Sequence, residues 1–155
     1  SNGLIDNFQG SLIIRQQVDD ADIVFQSDDG SGGITTYLTL DGGTEQVEIT
    51  KNMRFTDNVK ALFGIGSDLK IYHDGTDSII QNYTGSIYID SNADDQDIVL
   101  RCDDGSGGLT AYITLDGSDA ATVISTVKIM MPNLPTSDPG VTGQLWNDSG
   151  TLKIS

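Results

Sequence analysis

Residues 4–43 recur at 79–118: a constant offset of 75 brings 22 identical residues into register over 40 positions. Repetition at this scale constrains the fold more than composition does. A single repeat cannot bury its own apolar face, so repeats complete their core against neighbours. The longest shared block is Asp-Asp-Gly-Ser-Gly-Gly, at 28–33 and again at 103–108, and agreement runs on through 34–42 and 109–117. Beyond Gly43 and Ser118 one residue looks inserted, so that Val47-Glu48-Ile49 matches Val123-Ile124-Ser125. The first seven residues align with 76–82, whereas 63–75 has no earlier counterpart. We therefore expect a chain that opens mid-repeat, as a piece of a longer repetitive protein. The sequence divides into copy 1 (1–50), a connecting segment with Gly-Ser-Asp-Leu-Lys-Ile-Tyr-His-Asp-Gly (51–78), copy 2 (79–131), a Pro-rich linker (132–140) and a C-terminal β-hairpin (141–155).

Within each copy the apolar residues alternate. Ile34, Thr36, Leu38 and Leu40 share one expected face, with Thr35, Tyr37 and Thr39 on the other; Ile23, Phe25 and Ser27 alternate with Val24 and Gln26. That period of two marks half-buried strands. The Asp-Asp-Gly-Ser-Gly-Gly block between them supplies turn formers and residues tolerant of positive φ, as a hairpin requires. Further strands are expected at 69–74, 86–90, 97–102 and 122–131, and a last hairpin around Asn147-Asp148-Ser149-Gly150. Composition agrees: 21 of the 23 acids are Asp, only Glu45 and Glu48 are Glu, and Ala occurs six times, which disfavours helix. The fold class is all-β, an elongated repetitive β-structure. Its strands bury thin apolar rows, so packing against further copies of itself is expected.

A formal charge of −15 repels nucleic-acid phosphates and anionic lipid surfaces, and no apolar run approaches the roughly 20 residues that span a bilayer. Neither nucleic acid nor membrane insertion is expected. One cysteine, Cys102, excludes an internal disulfide and a multi-cysteine zinc site, and one histidine, His73, leaves little for nucleophilic catalysis. Cys102 is read as a small inward-facing residue, and His73 as a surface turn residue next to Asp74-Gly75.

The acid clusters are the remaining candidates. Asp19, Asp20, Asp22, Asp28 and Asp29, with their copies Asp94, Asp95, Asp97, Asp103 and Asp104, stand on Gly-rich loops where calcium could find several oxygens. No EF-hand or β-roll calcium spacing accompanies them, so turn formation is the plainer reading. No cofactor is assigned and no catalytic residue is named. Duplication of these Asp positions suits structure better than a single acid pair for glycoside hydrolysis. Trp146, Tyr37, Tyr83, Tyr88 and Tyr112 could stack on sugars but equally stabilise sheets. Lys51, Arg54, Lys60 and Lys70 cluster between the copies and could meet the Asp loops of a neighbouring subunit.

The segment 62–78, the Asp-Ile-Val-Leu…Asp-Asp-Gly-Ser-Gly-Gly…Tyr-Ile-Thr-Leu-Asp-Gly run of copy 2, and the tail from Leu134-Pro135-Thr136 through Gly143-Gln144-Leu145-Trp146-Asn147-Asp148-Ser149-Gly150-Thr151-Leu152-Lys153 resemble repeat modules of tail fibre and related virion structural proteins of marine bacteriophages. The resemblance implies a homotrimer, intertwined or side by side, that projects from the extracellular virion. It also implies other virion proteins as partners and a host-surface glycan or protein at the tip. It transfers no receptor residue. A non-enzymatic fibre module is thus the leading expectation. A subunit of a self-assembling extracellular or surface filament, and a tailspike-like glycan depolymerase, are the alternatives.

Overall fold

The computed structural model describes residues 3–126 and 128–155, and the protein is all-β. Eleven strands form four small antiparallel sheets among the described residues. Copy 1 builds the first, β1 (Ile23–Asp28), β2 (Ile34–Asp41) and β3 (Gln46–Ile49), as a meander with β2 central. The connecting segment builds the second from β4 (Ala61–Phe63), β5 (Leu69–His73) and β6 (Ser78–Asn82). Copy 2 builds the third, β7 (Ile98–Asp103), β8 (Leu109–Asp116) and β9 (Ala121–Ile124), and β10 (Leu145–Asp148) pairs with β11 (Thr151–Ile154) in the terminal hairpin. Two compact units result, Ser1–Ser86 and Ile87–Ser155.

The first and third sheets share one register. Phe25 pairs with Leu38 and Leu38 with Ile49; 75 residues on, Leu100 pairs with Ile113 and Ile113 with Ile124. The expected one-residue insertion after Gly43 is therefore absent. Val47 corresponds to Thr122 and Ile49 to Ile124, because each β2–β3-type turn holds four residues, 42–45 and 117–120. Both turns end on a residue with positive φ, Glu45 at 55° and Ala120 at 49°. The offset of 75 survives even where side-chain identity is lost.

A bulge corrects the face assignment. Opposite the step from Phe25 to Gln26, β2 passes from Leu38 to Thr36, leaving Tyr37 unpaired, and Tyr112 occupies the same place in copy 2. An extra residue reverses the parity of everything before it. Thr36 therefore lies with Gln26, whose amide donates to its hydroxyl at 3.1 Å, and Ile34 lies opposite Asp28. Neither joins Leu38 and Leu40. The bulge is fixed in both copies by the tyrosine hydroxyl, which donates to the Asp28 or Asp103 carbonyl at 3.2 and 3.0 Å.

Two expected strands differ from the structure. Residues 86–90 form no strand, and of 122–131 only the part within Ala121–Ile124 is strand, with 127 outside the described residues. The Pro-rich stretch docks on the terminal hairpin. The Pro135 carbonyl accepts the Asn147 N–H at 2.8 Å, and Asp138 accepts the Ser155 hydroxyl at 2.7 Å.

Candidate functional site: the uncovered sheet faces

Cross-strand neighbours in an antiparallel sheet point to the same side. By register, Ile23, Leu40 and Val47 with Phe25, Leu38 and Ile49 make one apolar face of the first sheet. In the third, Ile98 and Leu115 with Leu100, Ile113 and Ile124 repeat it, and Thr122 takes the place of Val47. The second sheet carries a smaller version, with Ala61, Ile71 and Ile80 beside Phe63 and Leu69. Sequence reading missed this third face because β4 and β6 are too short to show a period.

Within each unit, strands touch only strands of their own sheet. Among the described residues no apolar side chain is buried. Val47 is 62% exposed, Leu100 55% and Ile80 66%. The one buried residue is Thr39, at 8%, on the opposite, more polar side of β2. On β8 likewise, Thr114 and Asp116 are better covered than Ile113 and Leu115. On the central strands β2 and β8 burial thus runs against the hydrophobic pattern, the reverse of a sheet that packs on its own core.

The surface area gives the scale. The chain exposes 13002 Å². A compact 16.5 kDa monomer exposes roughly 7,600 Å², and the unfolded chain about 24,000 Å². Folding therefore buries only about 46% of the surface, where even a 60-residue domain buries about 60%.

The Asp clusters have a different use. Asp29 Oδ1 accepts the Ser31 N–H and hydroxyl at 2.7 Å and the Gly33 N–H at 3.0 Å, and Asp104 holds Ser106 and Gly108 in the same way. The Ser31 hydroxyl and amide, then Gly33, hold the Asp29 carboxyl below the usual carboxylate range; Asp104 follows through Ser106 and Gly108. Asp28 takes the Gly30 N–H. Asp22 and Asp97 each reach 20 residues along the chain to the N–H of Gly42 or Gly117, at 3.1 and 3.0 Å, tying β1 or β7 to the far turn. Asp20 and Asp95 stand at positive φ. Strands β1 and β7 place 19–22 and 94–97 at one hairpin end, and 28–29 and 103–104 at the other, about 17 Å away. No group of three or more His, Cys, Asp or Glu among the described residues is disposed to hold a metal ion.

The other candidates also resolve. His73 ends β5 rather than lying in the turn, its Nδ1 3.3 Å from the Ser78 hydroxyl. The turn beyond it is closed by Asp74, whose carboxyl is lowered by the Asp77 and Thr76 amides and, less, by His73. Lys60 and Lys70 lie over the rings of Tyr72 and Tyr83, at 4.6 and 4.3 Å from the centroids, and Lys153 over Trp146 while pairing with Asp148. Lys51 and Arg54 make no ion pair among the described residues. Tyr88 is exposed, and the Trp146 indole N–H, shielded from solvent, meets no acceptor.

A shallow hollow of about 230 Å³ is lined by Met131, Leu134, Asn147, Gly150 and Leu152, none of them titratable. No family model, curated protein or solved structure matches the chain. Cys102, exposed, falls in the Ile98–Leu100 row of β7 and so belongs to the apolar face of the third sheet.

Proposed function

We propose that the chain is a non-enzymatic structural module of a phage tail fibre, assembled as a homo-oligomer, with a trimer the leading form. It belongs to the extracellular virion, joins other virion proteins and contributes to attachment at the host surface. The observation that carries the reading is the inverted burial, with apolar faces open on three sheets and no apolar side chain buried among the described residues. Such a chain gains its core from neighbours. The resemblance of 62–78, the copy 2 run and the C-terminal tail to phage fibre modules supports the virion assignment. The acid hubs support a structural role too, since each repeats at an offset of 75 and serves a turn.

Light scattering of the purified chain at low micromolar concentration tests the assembly, and three times 16.5 kDa is the expected mass. A stable folded monomer overturns it. Electron microscopy separates fibre from filament: discrete particles are expected, and helical polymers of the chain alone would favour the filament. Immunolabelling of virions by antibody to the chain tests the location.

A further inference from the structure

We propose that the polar face of the second sheet, built on Lys60, Lys70, Tyr72, Gln81 and Tyr83, binds a polysaccharide that contains uronic acids. The inference rests on the attachment role proposed above and gives it a surface and a ligand class. Register brings these residues together. Lys70 pairs with Gln81, and Tyr72 stands two residues on from Lys70 along β5, so all three point to one side, opposite Ala61, Ile71 and Ile80. The pattern runs on past the strand ends. The Tyr83 N–H donates to the Asp68 carbonyl at 2.8 Å, and Lys60 lies opposite Tyr72 in the continued register. Each lysine reaches a ring across the sheet, Lys60 to Tyr72 and Lys70 to Tyr83. A ring holds an ammonium in place without neutralising it.

Charge placement selects the ligand. Residues 51–83 hold four cations and four acids, whereas the rest of the chain holds four cations and nineteen acids. Neither Lys60 nor Lys70 pairs with an acid among the described residues. The acids beside β5 stand at its ends: Asp68 lies against Gly64 and Gly66, and Asp74 accepts the Thr76 and Asp77 amides. Two lysines about 8 Å apart at the backbone thus keep their charge beside a side-chain amide and a tyrosine, Tyr83, that is 58% exposed. A uronic acid matches the set, carboxylate to ammonium, apolar ring face to tyrosine and hydroxyls to Gln81. Nucleic acid, with a charge about every 1.7 Å, is repelled by so acidic a chain. A polysaccharide spaces its acids more widely, and at physiological salt screening over about 8 Å leaves them to the nearest groups. The Asp29 and Asp104 loops of another copy fit less well, because each carboxylate already accepts three donors of its own turn.

The full chain is titrated calorimetrically with hexagalacturonate in about 0.15 M sodium chloride, with maltohexaose as the neutral probe. Hexagalacturonate is expected to bind and maltohexaose not. Lys60→Gln/Lys70→Gln should weaken binding at least about threefold, since each partly exposed ion pair contributes modestly, and Lys60→Arg/Lys70→Arg should retain it. Lys153→Gln is the control: that lysine also lies over a ring but pairs with Asp148, so its loss should change nothing. Light scattering and thermal melting establish that each variant keeps the parent's mass and fold. No binding of hexagalacturonate, a smaller loss in the Gln variant, or tighter binding of a synthetic peptide of residues 26–36 overturns the surface and leaves the fibre module standing. Binding through the two lysines by a chain whose antibody labels no virion overturns the fibre reading and leaves the surface standing.

Discussion

Gly117 is fixed by a close approach rather than by backbone conformation, and this makes its substitution calculable. A Cβ added there would stand 2.4 Å from the Gln96 carbonyl oxygen and 3.2 Å from its carbon, both backbone atoms, while φ lies outside the left-handed region. Real Cβ contacts stay above 3.0 Å, so in Gly117→Ala the two segments must separate by at least about 0.6 Å. The next residue, Asp97, accepts the Gly117 N–H at 3.0 Å, so this retreat stretches the bond that ties β7 to the far turn. Forced overpacking of this kind costs about 1–3 kcal/mol. At 2–4 °C per kcal/mol for a chain of this size, the melting midpoint should fall by about 2–12 °C. The repeat supplies an internal replicate: Gly42→Ala meets the Ala21 carbonyl at 2.5 Å and should behave alike, with Asp22 in the role of Asp97. Gly3→Ala, with nothing within 4 Å, is the control. Calorimetry of the three variants at one concentration decides the matter. A Gly117→Ala midpoint within about 1 °C of the control would refute the close-approach argument.

The carboxyls of Asp29 and Asp104 are lowered, so their stabilisation is fully present above the unfolded value near 3.8 and is lost as pH falls through the folded value. Asp29→Asn/Asp104→Asn should melt below the parent at pH 7, and the gap should close below about pH 4; a gap constant down to pH 3 would contradict it. Ala120 adopts a φ of 49°, a region costly for residues with a Cβ, so Ala120→Gly should raise stability by about 1 kcal/mol, seen as a higher urea midpoint. No change in melting temperature is expected on adding a chelator, because the Asp29 and Asp104 hubs are already occupied by protein donors; a drop of several degrees would establish a cation.

The all-β class, the Asp28–Ile34 hairpin and the final hairpin about 147–150 were legible because each is a local signal, a period of two bounded by turn residues. The bulge was not. Ile34-Thr-Thr-Tyr-Leu-Thr-Leu40 alternates without a break, and the slip at Tyr37 belongs to the pairing of two strands, set by a hydroxyl reaching the Asp28 carbonyl. Ile34 consequently left the face it was expected to share. Residues 86–90 alternate as well as any strand does, yet form no strand because alternation reports a half-buried surface and not the presence of a neighbour. The candidate faces were half visible: Leu38 and Leu40 show in the pattern, whereas Val47 and Ile49 join them only once the register is known. For the Asp clusters the reverse held, since duplication alone pointed to turns and the hydrogen bonds supply the reason.

Charge and uncovered surface are two sides of one arrangement. Open apolar faces and short open-edged sheets would promote indiscriminate association in a neutral chain. Here the edge strands β3 and β9 are only four residues long, and acids crowd the hairpin ends that flank every face. In the proposed homo-oligomer the acid-rich ends of neighbouring copies repel one another, and the apolar faces supply the attraction. Salt separates the two contributions, because exposed charges more than about 10 Å apart are screened at 0.1 M while apolar contact is not. The association constant should therefore rise between 0.02 and about 0.5 M sodium chloride, with the oligomer number unchanged. Sedimentation equilibrium across that range measures both. Dissociation on adding salt would mean that ion pairs, and not the apolar faces, hold the copies together.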